Sequence, residues 1–409
     1  MMQDSTTATP DRALRCVHYL HEFVLEHGGV VQAVRDLCTG LAGSGTEIVL
    51  LTCDASDVPD AWQRGANGAR IVELDRSSFY RGMLGRHTVR DAARTILAHA
   101  DVVHLHTPWA LGNLQFAASL RRQHVPYIVS IHGMLDSWSM AQKPLKKRAF
   151  LSLAGRRFLY DAAHVHFTAE EECRQALAWI PGARRRAVVV PLTIDLSPFD
   201  QLPGPGAAQQ RFEALRSGEP TVLFLSRIHP KKGVELLLDA VAQMYAAGVR
   251  FQLVVAGPGD ATYVSDLQQQ AARGGLGDRV HFPGMVRGAE KLSLYQAADV
   301  FVLPTHQENF GLVLVEAMAC ETPVVTTRGT DIWRELQTGG AAIVDRTAPS
   351  IAAAIREVLD DRDAARERAR QGRAFVYQWL DRHRVVEQYD QLYRSALQQH
   401  AATRSVPDP

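Results

Sequence analysis

Short, largely apolar runs alternate along most of this chain with longer stretches in which apolar residues recur every three or four positions. The runs predict strands at 14–19, 47–52, 70–73, 101–106, 127–131, 164–168 and 188–191, and again at 221–226, 251–256, 279–282, 300–303, 323–327 and 341–344. A run apolar at successive positions belongs to a strand buried on both faces, as in parallel sheets. Between the runs, the helical period predicts helices at 30–39, 88–98, 111–122, 146–160 and 170–179 in the first half, and at 234–246, 263–272 and 290–297 in the second. Such alternation builds a parallel sheet covered on both sides.

Leu202-Pro203-Gly204-Pro205-Gly206 interrupts the pattern. It divides the chain into an α/β, Rossmann-like domain at 13–198, a linker at 199–219 and a second such domain at 220–375, with a ligand cleft between them at the strand carboxyl ends. A length of 409 residues exceeds one ordinary core and agrees with two. Near the end a charged helical stretch, 362–373, is followed by an aromatic one containing Phe375, Trp379, Tyr389 and Tyr393. Residues 1–12 and 400–409 read as disordered tails.

Charge and cysteine usage narrow the function. Lys+Arg of 45 against Asp+Glu of 44 argues against nucleic-acid binding through bulk charge. Cys16, Cys38, Cys53, Cys173 and Cys320 are scattered without a C-x-x-C pair, which fits reduced thiols in a cytoplasm. The start has no apolar signal-peptide core, and no apolar run reaches the ~20 residues of a transmembrane helix. The expectation is a cytoplasmic protein, soluble or peripheral to the inner face of a membrane.

The most informative segment runs from Glu308 to Glu316. Val300-Phe301-Val302-Leu303-Pro304 reads as a buried strand ended by proline, and Gly311 opens a helix through Leu312, Val315 and Met318. Glu308 then sits in the strand-to-helix turn and Glu316 more than a turn inside the helix. Free N–H groups of the first helical turn between them form an anion site. One acid on each side of a phosphate cradle suits a nucleotide sugar, although ordinary charges at a helix N-terminus give the same pattern. Two more turns repeat the theme. Ser226-Arg227-Ile228-His229-Pro230-Lys231-Lys232-Gly233 places cations before a glycine-opened helix, as a diphosphate needs; Lys231 reads as solvated. Ala256-Gly257-Pro258-Gly259-Asp260 follows another strand with a glycine turn.

These segments together resemble the retaining GT-B glycosyltransferases of family 4, whose E-x7-E and S-R-x-x-P-x-K-G patterns they match. The resemblance implies two Rossmann-like domains facing across a cleft and a helix at 376–399 crossing back to the first. It implies that Arg227 and Lys232 neutralise a leaving nucleoside diphosphate, that Glu308 holds the donor sugar and that Glu316 holds the ribose. Gly257 and Gly259 would let the backbone approach the nucleotide, and Met285 and Val286 would line the base pocket. Asn309, Phe310, Gly311 and Leu312 would offer main-chain donors to the sugar and phosphates. No metal or other cofactor is expected, since the only D-x-D, Asp361-Arg362-Asp363, lies in the charged helical region.

In the first domain, Gly28 and Gly29 match the family's Gly-Gly pair and would face the donor phosphates. His27 is a candidate acceptor contact or a solvated turn residue. Ile131-His132-Gly133-Met134-Leu135-Asp136-Ser137-Trp138 resembles an H-G-M-L-D-x-W segment of a bacterial subset associated with surface polysaccharides. There His132 would lie nearest the transferred sugar, with Asp136 and Trp138 in the acceptor cleft. His106 and Trp109, at the end of a strand, line the acceptor groove or pack. His104 and His106 lack further ligands at zinc spacing. A basic, amphipathic stretch, 143–160, is either a contact for anionic lipid or a solvated helix face. Pro191-Leu192-Thr193-Ile194-Asp195 departs from the P-N-G-x-D often seen in the family. The reading is a transferase moving sugar from a nucleoside-diphosphate sugar to a glycan or lipid-linked hydroxyl. A nucleotide-sugar epimerase of the same fold and a non-catalytic nucleotide-sugar binder are the alternatives.

Overall fold

The computed structural model describes residues 13–63, 68–75 and 82–404. The first half forms a seven-stranded sheet of β1 (Arg15–Tyr19), β2 (Glu47–Thr52), β3 (Arg70–Glu73), β4 (Val102–His106), β5 (Tyr127–Ser130), β6 (His164–Phe167) and β7 (Ala187–Val189), in the order β3-β2-β1-β4-β5-β6-β7. The second half forms a six-stranded sheet of β8 (Thr221–Leu225), β9 (Gln252–Ala256), β10 (Val280–Gly284), β11 (Val300–Leu303), β12 (Val324–Thr327) and β13 (Ala342–Val344), in the order β10-β9-β8-β11-β12-β13. Every pairing is parallel.

Both sheets reverse their winding once, between β1 and β4 and between β8 and β11. Loops leaving these strands diverge to opposite faces and open a crevice at the carboxyl edge. The turns at Gly28–Gly29, Ser226–Gly233 and Pro304–Gly311 leave β1, β8 and β11 at these crevices. The central strands β4, β5, β8, β9 and β11 are buried along their whole length, which is why they read as continuous apolar runs.

Three regions differ from the sequence expectation. Residues 199–219 do not run as an extended linker. The helix Gly206–Arg211 lies on the helix Gly288–Ala297, with the N–H of buried Ala208 donating to Ser293 Oγ at 2.9 Å and that of Gly204 to Gln296 Oε1 at 2.6 Å. The helix predicted at 146–160 starts earlier, at Pro144, whose fixed φ suits a first helical turn. It runs as Pro144–Phe150, a π-helical turn Leu151–Gly155 and Arg156–Tyr160. Leu145 and Leu153 there are 82% and 87% exposed.

The third difference is at the C-terminus. Arg362–Trp379 is one continuous helix, so Phe375 and Trp379 extend the charged stretch, and the Trp379 ring stacks on Phe310 at 5.5 Å. The crossing helix is Arg382–Arg404, continuing beyond residue 400 where a tail is predicted. It returns to the first sheet, where Val385, Val386, Tyr389, Leu392, Tyr393 and Ala396 join a core with Cys16, Leu37, Cys38 and Leu41. The predicted tails at 1–12 and 405–409 lie outside the described residues. All five cysteines are buried free thiols.

Candidate active site between the two sheets

In the second half, Lys232 closes a 3-10 turn, Pro230–Lys232, capped by His229, whose Nδ1 accepts from the Lys231 N–H at 3.1 Å. Gly233 follows with φ +72°, and a Cβ there would lie 2.3 Å from the Pro304 carbonyl oxygen. Only glycine lets the turn after β8 press this closely on the turn after β11. Lys232 thereby reaches Glu308, and its ammonium contacts Glu308 Oε2. Burial, then the charges of Lys231 and Arg227, pull the Lys232 ammonium down to about 7. The Glu308 carboxylate beside it acts in the opposite direction. Arg227 is exposed and makes no ion pair among the described residues, so it is available to an incoming anion.

Glu308 is fixed through its backbone: its N–H donates to Gly329 O at 2.7 Å and its carbonyl accepts from Asp331 at 2.9 Å. Gly311 then opens the helix Leu312–Ala319. At about 1.5 Å per residue, Glu316 lies roughly 6 Å along the axis from Leu312. Its Oε1 accepts from Lys291 Nζ at 2.7 Å and its Oε2 from Tyr295 at 2.9 Å. Those two residues orient a largely buried carboxylate and were not foreseen. Gly257, Pro258 and Gly259 join the neighbouring turns: Gly257 donates to Gly284 O at 2.8 Å, and Pro258 O accepts from Ile228 at 2.7 Å. Met285 is 46% exposed and Val286 buried, so of the two only the methionine side chain is open to a ligand. Phe310 is buried in the stack on Trp379, and its side chain packs.

Across the cleft, Gly29 and Leu312 approach each other, a Cβ on Gly29 falling 3.6 Å from Leu312 Cδ1. His27 ends the 3-10 turn Leu25–His27, and its side chain lies outside the described residues. His132 follows β5 with φ +53°, outside the region usual for a side-chain-bearing residue. Gly133 comes next at φ +71°; a Cβ on it would lie 2.6 Å from Asn309 Cβ of the second half. Buried Glu172 holds this turn. Its Oε1 accepts from Gly133 N at 2.6 Å, and its Oε2 accepts from Thr168 N at 2.6 Å and Thr168 Oγ1 at 2.8 Å. The Thr168 oxygen in turn accepts from Asn309 Nδ2 at 3.1 Å. Burial raises the Glu172 pKa against these donors.

Several expected roles change. His106 is buried, bonded to His132 and His18, so it cannot line an acceptor groove. Trp109 is partly exposed but packs on Phe150 at 5.4 Å, beneath Lys147. Asp136 is buried and caps the helix Ser137–Ala141 through Ser139 N at 2.5 Å. Lys231, expected in solvent, lies 3.7 Å from Asp136 Oδ2 across the cleft. Trp138 rests beside His306 of the second half, 5.1 Å between ring centres. Asp331, also unforeseen, accepts on Oδ1 from Gln307 at 2.9 Å and from Gln175 of the first half at 2.8 Å. Its Oδ2 is buried without a hydrogen-bond partner among the described residues, and burial, then the Glu172 charge, pushes the acid up to about 9. A separate inter-domain cavity of about 540 Å³ touches His306, Arg174, Arg328 and Arg346 but neither Lys232 nor Glu308.

Two facing Rossmann-like sheets with a returning C-terminal helix are the GT-B arrangement. The pattern described as glycosyl transferases group 1 matches residues 207–375, and that of the glycosyl transferase 4-like domain matches 28–193. The chain belongs to the group 1 glycosyl transferases. It is 30% identical to a D-inositol 3-phosphate glycosyltransferase of Kineococcus radiotolerans, covering 93% of each chain. It is 28% identical to an alpha-monoglucosyldiacylglycerol synthase of Streptococcus pneumoniae, covering 73% of this chain and 67% of that one. The Anabaena HepE protein, solved in complex with UDP and glucose, has the same fold, with a TM-score of 0.74 at 19% identity over 93% of this chain and all of that one.

Proposed function

We propose that this transferase moves a sugar from a nucleoside diphosphate to a hydroxyl of a glycan or lipid-linked saccharide, with retention of anomeric configuration and without a metal ion. The observation that carries the reading is the partly buried contact of Lys232 with Glu308 beside the start of the helix Leu312–Ala319. It sets a cation, a carboxylate and first-turn N–H groups around one point. The nucleotide-bound form of the similar Anabaena protein and the activities named for the relatives support the same reading.

In this mechanism the bond from the sugar's anomeric carbon to the diphosphate breaks and a bond to the acceptor oxygen forms on the same face. The acceptor proton passes to the departing phosphate oxygen. Arg227 and Lys232 meet the charge that develops there, the task a divalent ion performs elsewhere. Glu308 accepts from sugar hydroxyls, Glu316 from the ribose, and His132 meets the transferred sugar from the first domain. No helix among the described residues is long and apolar enough to cross a membrane. Exposed Leu145 and Leu153 amid Lys143, Lys146, Lys147 and Arg148 support peripheral contact with anionic lipid at the cytoplasmic face. A role in surface polysaccharide assembly follows from the segment around His132.

Calorimetric binding of UDP, GDP and ADP tests the donor site, with Glu316→Ala as control. One nucleotide should bind selectively and lose affinity in the variant. Transfer should persist in EDTA and give a product whose anomeric coupling matches the donor's. An inverted product, or activity that EDTA abolishes, would refute that part.

A further inference from the structure

The first sheet contains a run of buried polar side chains that the transfer chemistry does not use. It starts at His132, whose Nε2 lies 3.0 Å from His106 Nδ1. His106 Nε2 lies 3.0 Å from His18 Nδ1. His18 Nε2 reaches the Tyr393 hydroxyl at 3.5 Å, and that hydroxyl lies 3.0 Å from His104 Nδ1. His104 Nε2 is 2.7 Å from Ser130 Oγ, which is 2.6 Å from His166 Nδ1. His166 Nε2 ends the run 2.9 Å from the Val190 carbonyl oxygen. Seven side chains from four strand ends and the last helix are thus joined, and all but His132 are buried.

One end of this run is chemically fixed, and the rest follows. A carbonyl oxygen only accepts, so His166 carries its proton on Nε2. Burial keeps the ring neutral, with a pKa near 4, so Nδ1 is an acceptor and takes the Ser130 hydroxyl proton. The Ser130 oxygen then accepts from His104 Nε2–H, and His104 Nδ1 accepts from Tyr393. The phenol has given its only proton, so it accepts from His18 Nε2–H. His18 Nδ1 accepts from His106 Nε2–H, and His106 Nδ1 from His132 Nε2–H. Burial likewise lowers His18 and His132 to about 3, and His104 and His106 well below the usual range, which leaves each ring with one proton. Any reversal along the run sets two donors or two lone pairs face to face in a buried site.

We infer that this one-directional hydrogen-bond run, anchored on the Val190 carbonyl, holds His132 as the Nε2–H tautomer and presents its Nδ1 to the cleft purely as an acceptor. His132 Nδ1 has no hydrogen bond to the described residues, and His132 is the run's one partly exposed member. Such a nitrogen reads a ligand hydroxyl. It disfavours a carboxylate or phosphate oxygen at the same position, because two acceptors then meet. His106, His18, Tyr393, His104, Ser130 and His166 are positioning residues. The consequence for substrate choice rests on the proposed sugar transfer, but the tautomer itself does not.

The tautomer is read directly in the full-length protein, labelled with ¹⁵N-histidine, by long-range proton–nitrogen correlation spectra assigned with single His→Gln variants. The expected result is Nε2–H for His18, His104, His106, His132 and His166. Tyr393→Phe should remove the link between the two halves, and His132 should then show a mixture of tautomers. Tyr389→Phe, equally buried one turn earlier on the same helix, removes a second, longer partner of His166 Nε2 at 3.3 Å but leaves the Val190 carbonyl at 2.9 Å that fixes its proton, and should leave His132 as it was. In the transfer assay Tyr393→Phe should lower kcat by roughly three- to tenfold, the worth of one neutral hydrogen bond, and Tyr389→Phe should not. An Nδ1–H signal for wild-type His132, or a tautomer unmoved by Tyr393→Phe, overturns the inference. So does stoichiometric zinc in the purified protein whose removal shifts the histidine signals. His18, His104 and His106 have nitrogens within 4.8 Å of one another, and zinc there would replace the hydrogen bonds. Correct tautomers with unaltered transfer in His132→Gln would leave the run intact and instead count against the proposed role of His132.

Discussion

Lys232 gives the site a pH dependence whose direction and size follow from its surroundings. Its ammonium is buried and titrates at about 7, the causes being burial first and then Lys231 and Arg227. In the empty site the protonated fraction falls from about nine-tenths at pH 6 to about one-tenth at pH 8. A diphosphate beside the nitrogen brings negative charge and stabilises the ammonium, so it binds the protonated form. The dissociation constant should therefore rise about tenfold from pH 6 to pH 8, about 1.4 kcal/mol. The last phosphate ionisation, near pH 6, runs in the opposite direction and affects a variant equally. The assay is calorimetry at constant ionic strength at pH 6, 7 and 8 with whichever of UDP, GDP or ADP binds most tightly, for the wild type and Lys232→Met. The variant should bind more weakly at pH 6 and lose the tenfold rise. Parallel slopes in the two proteins would refute the argument, because another group would then be titrating. Linkage sets a further sign. Between about 7 and about 10.4 the folded state holds fewer protons on this lysine than the unfolded chain, so its contribution to stability rises with pH.

Gly133→Ala adds a methyl at φ +71° and 2.6 Å from Asn309 Cβ. It should cost about 1–3 kcal/mol by thermal unfolding and slow transfer more than it weakens nucleoside-diphosphate binding, for which Arg227 and Lys232 of the second half supply the cations. Asp331 has a folded-state pKa of about 9 against about 3.9 unfolded. The folded state binds the extra proton, so this group's stabilisation is full below pH 4 and is lost as pH rises towards 9. Asp331→Asn should match the wild type at and below about pH 4 and flatten the decline above it in denaturant titrations. Leu145→Ser with Leu153→Ser should weaken sedimentation with phosphatidylglycerol vesicles at least about tenfold; a wild-type protein that binds no vesicles removes the membrane contact.

Much of the fold is legible because strands buried on both faces carry their signal in consecutive residues. The run Val300–Leu303 needs no partner to be read, and neither does the glycine-opened turn of Lys232 and Gly233. The Lys232–Glu308 contact itself joins residues 76 positions apart and is not visible locally. The same limit explains the misreadings. His104 and His106 are two apart on one strand face, a spacing that the cleft and the core share. What decides is Tyr393, 289 positions away in sequence from His104. Glu172 stands in the acidic first turn of the helix Glu170–Leu177 and looks like an ordinary helix-start charge, yet it is the anchor of the His132 turn. Lys231 looked solvated because Asp136, its counter-charge, belongs to the other half. Asp136, expected in the acceptor cleft, caps the helix Ser137–Ala141 instead, as an aspartate before a short helix accepts from a first-turn N–H.

The last helix has a consequence for how the protein is made. The first sheet leaves the ribosome early, yet Val385, Val386, Tyr389, Leu392, Tyr393 and Ala396, which complete its core, are synthesised only after the whole second domain. Until then the face of β1 and β4 that carries His18 and His104 has no phenol above it. The nascent first domain therefore waits, with apolar surface uncovered, through translation of the whole second domain. Its closure waits for the helix Arg382–Arg404 to emerge, so a message truncated before residue 382 yields a product with an open first domain, ready for capture by a chaperone or a protease.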